Sequence, residues 1–132
     1  MRMMSGKLPI PSVLVVDDEP LIRWSLSEGL TDGGYPVRLA GNAAEARAAL
    51  AVLGKAPLVV LLDLRLPDSI DLALLVEIRK RFPDAPVVMM SAHGTSEDMK
   101  RAGELGACRF VEKPFDVTEM VKLVGEAWEN RA

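Results

Sequence analysis

Leu58-Val-Val-Leu-Leu62, closed by Asp63, is the stretch that decides the fold. An unbroken apolar run that stops at a turn does not alternate, so it reads as a strand buried on both faces, as inner strands of a parallel sheet are. Comparable short runs recur: Val13-Leu-Val-Val16 before Asp17-Asp18, Val87-Val-Met-Met90 before Ser91, and Arg109-Phe-Val-Glu112 before Lys113. Each is followed at once by a polar group. If the strands are parallel, an acid pair, an acid, a hydroxyl and a cation share one edge of one sheet. In an open parallel sheet the ligand crevice lies outside the carboxyl ends of the strands, so this edge reads as a site.

The segments between the runs carry helix signals. Pro20 suits the first turn of a helix, where its missing N–H costs nothing, and Leu21 to Leu30 continues it until Gly33-Gly34. Val37 to Ala40 is a short second strand. Asn42, with Glu45 three positions on, predicts an N-cap for a helix over Ala43 to Leu53 that Gly54 ends. Asp68-Ser-Ile-Asp71 repeats the cap-and-acid pattern and predicts a third helix reaching Phe82-Pro83, with Leu72, Leu75, Val76 and Ile78 at helical spacing. Thr95-Ser-Glu-Asp98 caps a fourth that closes at Gly106, and Asp116-Val-Thr-Glu119 caps a fifth running to about Asn130. Strands alternating with helices require crossover connections, which places helices on both faces of the sheet. The predicted class is therefore α/β, three-layered and doubly wound.

Residues 1–11 read as a loose lead-in and 12–132 as one domain, with no repeat, no linker and no second module expected within the chain. A hydrophobic fraction of 49% with 27% charged residues is ordinary for a soluble globular protein. No apolar run approaches the roughly 18 residues a membrane span needs, and no signal peptide is evident, so a cytoplasmic location is expected. Cys108 is the only cysteine, which excludes an internal disulfide and a cysteine-rich zinc site. A net charge of −3 argues against direct nucleic-acid binding by this segment, since phosphate neutralisation needs clustered Lys and Arg.

Carboxylates gathered in one pocket repel one another and are pushed toward protonation unless a positive charge sits among them. All-oxygen ligands, a single histidine (His93) and no cysteine at the edge favour a hard cation such as Mg2+ over zinc or copper. With such an ion offsetting phosphoryl charge, an Asp oxygen can attack phosphorus while a Lys ammonium holds another phosphoryl oxygen.

Asp17-Asp18, Asp63 with Leu-Arg-Leu-Pro67 after it, Ser91-Ala92 and Lys113-Pro114-Phe115 resemble, in order and spacing, the receiver domain of two-component response regulators. The resemblance covers residues 12 to 130. It implies a flavodoxin-like sheet of strand order 2-1-3-4-5, with Asp63 as phosphoacceptor. It further implies Asp18 as direct Mg2+ ligand, Asp17 as an acid acting through water, and the Arg65 backbone carbonyl as the remaining ligand. Lys113, Ser91 and Ala92 are matched to phosphate binding, Ser91 and Phe110 to the switch, and Lys113-Pro114 to a cis peptide bond. Arg65 and His93 fall where side chains flank the acyl phosphate and tune its lifetime. The implied partner is a sensor histidine kinase or a histidine phosphotransfer protein, with a second copy of the chain as a partner after phosphorylation, and neither nucleic acid nor membrane contacted by this segment. The run Asp-Leu-Arg-Leu-Pro-Asp-Ser69, with Ile22-Arg-Trp24 and Ser91-Ala-His-Gly94, is similar to receivers of NtrC-type activators, which implies transcription regulation. One departure is visible: Ile70-Asp71 stands where many receivers have Asp-Gly or Asn-Gly, so Asp71 is expected to serve as a helix-end acid.

Two rivals belong to other classes. Haloacid-dehalogenase-like phosphatases also use an Asp nucleophile with Mg2+, but place a second Asp two residues later after the first strand, which Val16-Asp17-Asp18-Glu19-Pro20 does not. A receiver that is never phosphorylated and only binds partners would lack the acceptor, an acid or the lysine, and all are present. Trp24 reads as a packing residue, and the Arg79-Lys-Arg81 cluster as a solvated helix end.

Overall fold

A computed structural model describes residues 10–70 and 72–131. Most of the predicted lead-in, and Asp71 with its predicted end-cap role, lie outside the described residues. The strands are β1 (Ser12–Val16), β2 (Val37–Ala40), β3 (Leu58–Asp63), β4 (Val87–Ser91) and β5 (Arg109–Glu112). The helices are α1 (Pro20–Asp32), α2 (Ala43–Leu53), α3 (Ala73–Arg81), α4 (Ser96–Glu104) and α5 (Val117–Glu129). All strand pairs are parallel, and their order across the sheet is β2-β1-β3-β4-β5.

Side-chain alternation along the strands divides the core in two. Leu14, Val16, Val60, Leu62, Val87 and Met89 pack on the face covered by α2, α3 and α4, with Ala46, Leu50, Leu75, Ile78 and Ala102. Val13, Val15, Val59, Leu61, Val88 and Met90 pack on the other face against Leu26 and Leu30 of α1 and Met120 and Val124 of α5. The three inner strands are buried almost throughout, as their apolar runs require, whereas the edge strands β2 and β5 are mostly half-buried or exposed. Gly29 permits the closest helix approach: a Cβ there would lie 2.4 Å from Val117 Cγ1, so α1 can rest on α5 only without a side chain at that point.

Four helices begin as the sequence predicts. Pro20 opens α1, Asn42 Oδ1 accepts from the Glu45 amide, Thr95 and Asp98 form a reciprocal capping box, and Asp116 accepts from the Glu119 amide. The third does not. Helix α3 starts at Ala73, with Leu72 at its N-cap and no side-chain cap. Asp68 instead turns its carboxylate to the start of α2, accepting from the Ala43 amide at 2.7 Å and the Ala44 amide at 3.0 Å. Its sequence spacing suits a local cap, but the fold brings the open amides of a different helix within reach, and those take it. Trp24 also departs from expectation: it is 60% exposed on α1, not packed in the core. Arg79 is anchored rather than solvated, its guanidinium donating to the Ala85 carbonyl at 2.7 Å.

Candidate functional site

The strand ends set the site through backbone hydrogen bonds. The Asp17 amide donates to the Ala40 carbonyl at 3.0 Å, Leu64 to Met90 at 2.8 Å and Lys113 to Ser91 at 2.8 Å, and with the pairing of Val16 on Leu62 between β1 and β3 these bonds align all five strand termini at one edge. Register pairs Asp63 with Met90 and Ser91 with Glu112. By strand parity Asp63 and Lys113 follow the residues facing α1 and α5, while Ser91 and Phe110 follow those facing α2, α3 and α4. Asp63 and the pair Ser91 and Phe110 thus reach the edge from opposite faces.

Asp17, Asp18 and Asp63 come together there, with carboxylate oxygens all within 4.8 Å of one another. Asp17 and Asp63 are buried, and Asp18 is exposed. Lys113 Nζ, on a side chain only 8% exposed, lies 2.7 Å from Asp17 Oδ2, 2.9 Å from Glu19 Oε1 and 3.4 Å from Asp63 Oδ2. The first of these is a close ion pair, and beyond it the wholly buried Asp17 Oδ2 has no hydrogen-bond donor. Asp17 Oδ1 accepts from the Glu19 amide at 2.9 Å, and the Asp17 carbonyl accepts from the Arg23 guanidinium at 2.7 Å. These two bonds fix the loop that presents the acid pair.

Burial pushes the Asp63 carboxyl up, and the Asp17 charge adds to the effect. Lys113 and the Arg65 amide, 3.3 Å from Oδ1, offset only part of it, leaving a value of about 6. Burial works to depress Lys113, but the carboxylates of Asp17, Glu19 and Asp63 outweigh it and hold the ammonium above the ordinary lysine range. Three converging acids, one of them wholly buried, and an Asp63 carboxyl raised by burial and by the Asp17 charge are what a hard cation would relieve. The donor set therefore fits Mg2+.

Over these groups lies an open cleft of about 280 Å³ lined by Asp18, Glu19, Asp63, Arg65, Ser91, Ala92, His93 and Lys113. Ser91 Oγ accepts from the His93 amide at 3.2 Å. Arg65 is 69% exposed and leans toward α4, its guanidinium 4.0 Å from Asp98 Oδ2. The Phe110 ring is half-buried against the α2–α4 core, with its tip over Gly94, where a Cβ would come within 2.6 Å of Cζ. The Lys113-Pro114 bond is cis.

The sequence-predicted residues all stand at or beside this edge. Two participants were not anticipated. Glu19, the third acid of Asp17-Asp18-Glu19, reaches Lys113 across 94 positions of sequence. Gly94 gives the Phe110 ring its seat, and the only sequence signal for it is a glycine just past the Ser91 turn.

Residues 13–125 match the sequence profile of the response regulator receiver domain. The chain is 40% identical over 120 residues to the DNA-binding transcriptional regulator NtrC of a Bradyrhizobium species, covering 91% of this chain and 25% of that protein. It is 42% identical over 115 residues to NtrC of Escherichia coli, covering 87% of this chain and 24% of that protein. The chain thus spans about a quarter of the length of these relatives. Among solved structures it is similar to the receiver domain of NtrX from Brucella abortus, with a TM-score of 0.81 and 42% identity over 90% of this chain and 99% of that one. A CheY-like receiver domain protein from Methanospirillum hungatei superimposes with a TM-score of 0.83 at 25% identity, over 92% of this chain and 95% of that one. Profile, relatives and fold agree with the acidic edge and its lysine: the chain belongs to the response regulator receiver domain family, in the company of NtrC and NtrX receivers.

Proposed function

We propose that Asp63 accepts a phosphoryl group from a phosphohistidine of a sensor kinase or phosphotransfer protein. An Asp63 oxygen attacks phosphorus, the phosphorus–nitrogen bond breaks, and its electron pair leaves with the imidazole of the donor. An acyl phosphate results, and attack of water on phosphorus later returns the carboxylate and inorganic phosphate. The observation that carries this reading is the convergence of Asp17, Asp18 and Lys113 on the buried Asp63 at the sheet edge.

Each side chain has a part in the reading. Asp17, Asp18, Asp63 and the Arg65 carbonyl would hold Mg2+, which would supply charge neutralisation for the incoming phosphoryl oxygens. Lys113, already fixed by buried Asp17, offers its ammonium to a phosphoryl oxygen on the other side. Ser91 accepts from the His93 amide, which leaves its O–H proton free to donate to a third oxygen. The Ala92 backbone borders that oxygen. Movement of Ser91 toward the phosphate, followed by Phe110, then alters the surface of α4 and β5. Arg65 and His93, at the mouth of the cleft, crowd the water that would hydrolyse the acyl phosphate.

Residues 12–132 act in this reading as one receiver unit that regulates transcription through other segments or chains, since its net charge of −3 does not suit DNA. Among the described residues no helix is long and apolar enough to cross a membrane, in keeping with work in the cytoplasm. Incubation with a histidine kinase carrying labelled phosphate tests the partner class. Label should pass to this chain and not to Asp63→Asn, and a chain that takes no label from any phosphohistidine donor would refute the reading.

A further inference from the structure

Lys113 is more fully engaged than phosphate binding alone calls for. Its ammonium has three protons and faces three carboxylates, and Glu19, at 2.9 Å, is nearer than the acceptor Asp63, at 3.4 Å. Two of the three cannot yield. Asp17 is wholly buried with its other oxygen held by the Glu19 amide, and Asp63 must stay to attack phosphorus. Glu19 differs: its side chain is 57% exposed and does not cap α1, although it stands at the N-cap. Its backbone is fixed at both ends, by Asp17 Oδ1 at the amide and by the Arg23 amide at the carbonyl. The carboxylate is thus an exposed group on a fixed mount, beside the Lys113 ammonium in the lining of the cleft.

We infer that Glu19 is a latch on Lys113, an internal anion that occupies the ammonium until a phosphoryl oxygen displaces it, so that it sets how readily the site is filled. The inference rests on the reading of Asp63 as phosphoacceptor. An arriving phosphoryl group brings negative charge into a cleft where Glu19 already sits against the Lys113 ammonium, so the two anions compete for it and repel each other. Release is cheap because the exposed Glu19 carboxylate can return to water, and an ion pair whose acid stays solvated changes an equilibrium by about two- to fivefold. Glu19 is a positioning residue here, since it touches neither the phosphoryl group nor the reacting oxygen.

The opposing role is that of one more acid supporting the cation, and it has the opposite sign. Removing a rim acid would weaken Mg2+ and with it phosphoryl capture, whereas removing a latch strengthens capture without tightening Mg2+. Titrate the full chain with beryllofluoride, an unreactive phosphoryl mimic, at fixed Mg2+, following amide NMR shifts, and titrate Mg2+ alone in parallel. Glu19→Gln and Glu19→Ala should each bind beryllofluoride about two- to fivefold more tightly than wild type, with Mg2+ affinity equal or weaker. In a Lys113→Ala background, Glu19→Gln should give no gain. Equal or weaker beryllofluoride binding in both Glu19 variants, or a gain that survives the loss of Lys113, overturns the latch while leaving the acceptor reading intact. A wild-type chain that binds no beryllofluoride at Asp63 overturns the acceptor reading, and the latch falls with it.

Discussion

Asp68, in the loop after β3, caps a helix to which it is not joined: its two carboxylate oxygens accept from the amides of Ala43 and Ala44 at the start of α2. Together with Asn42, which serves the Glu45 amide, it satisfies the first turn of α2. Those amides hold the Asp68 carboxyl below its ordinary value of 3.8. A carboxyl depressed by folding stabilises the protein above its unfolded-state value, and that contribution is lost as pH falls through the folded-state value. Asp68→Asn keeps one acceptor and loses the charge, so it should melt at a lower temperature than wild type near neutral pH. The gap should begin to narrow below about pH 4 and close as pH falls through the folded-state value. Paired thermal melts across pH check this, and a gap that persists in acid would assign the effect to something other than the ionised cap.

Two glycines in helices make opposite predictions. Gly29→Ala drives a methyl into Val117, whose Cγ1 would be 2.4 Å away, and should cost about 1–3 kcal/mol. Gly103→Ala, in α4, meets nothing within 4 Å and should stabilise by about 0.5–1 kcal/mol through helix propensity. Urea denaturation of both variants reads the two signs directly. Equal destabilisation would mean that the α1–α5 approach is not what selects Gly29.

Gly94 and Phe110 supply a test of the switch. The ring tip rests where a Gly94 Cβ would fall, so Gly94→Ala must displace the ring even without phosphorylation. Phe110 has no hydroxyl, so in the proposed switch its inward position would gain no hydrogen bond and would depend on packing and on Ser91. The expected result is that Gly94→Ala shifts the NMR signals of Phe110 and α4 in the resting protein and shrinks the further shift on phosphorylation. Ser91→Ala should also shrink the phosphorylation shift. An unchanged response in both variants would separate Phe110 from the switch.

The lifetime of the acyl phosphate should depend on the cleft mouth. Arg65, with its guanidinium 4.0 Å from Asp98 Oδ2, and His93 line the cleft over Asp63, and in the proposed reading they would narrow the approach of water to it. First-order decay of phospho-Asp63 at fixed Mg2+ should therefore be faster in Arg65→Ala with His93→Ala than in wild type. Slower decay in the double variant would mean that these side chains orient the water instead of excluding it.

What was legible in the sequence was whatever one strand or one helix determines by itself. Apolar runs announced the strands, and the polar residue closing each run marked its place on the common edge, which is why Asp17, Asp18, Asp63, Ser91 and Lys113 could be named together. Local caps were read correctly wherever donor and acceptor stand three residues apart, as at Asn42, Thr95 and Asp116. The misreadings involve competition between partners distant in sequence. Asp68 had a plausible helix three residues ahead and chose one 25 residues behind. Glu19 joined Lys113 across the sheet, a contact that no spacing rule encodes. Trp24 sits among helical apolar residues, and its exposure follows only from which face of α1 meets β1 and α5.

The most direct test of the account is intact-mass measurement of the chain after incubation with acetyl phosphate and Mg2+. Wild type should gain one phosphoryl group, Asp63→Asn should gain none, and excess chelator should abolish the gain in wild type. Lys113→Ala should retain Mg2+ binding yet lose most of the labelling, since the acids remain and the phosphate's cation is gone. Undiminished labelling of Asp63→Asn, or of wild type in chelator, would contradict the assignment of Asp63 as a Mg2+-dependent phosphoacceptor.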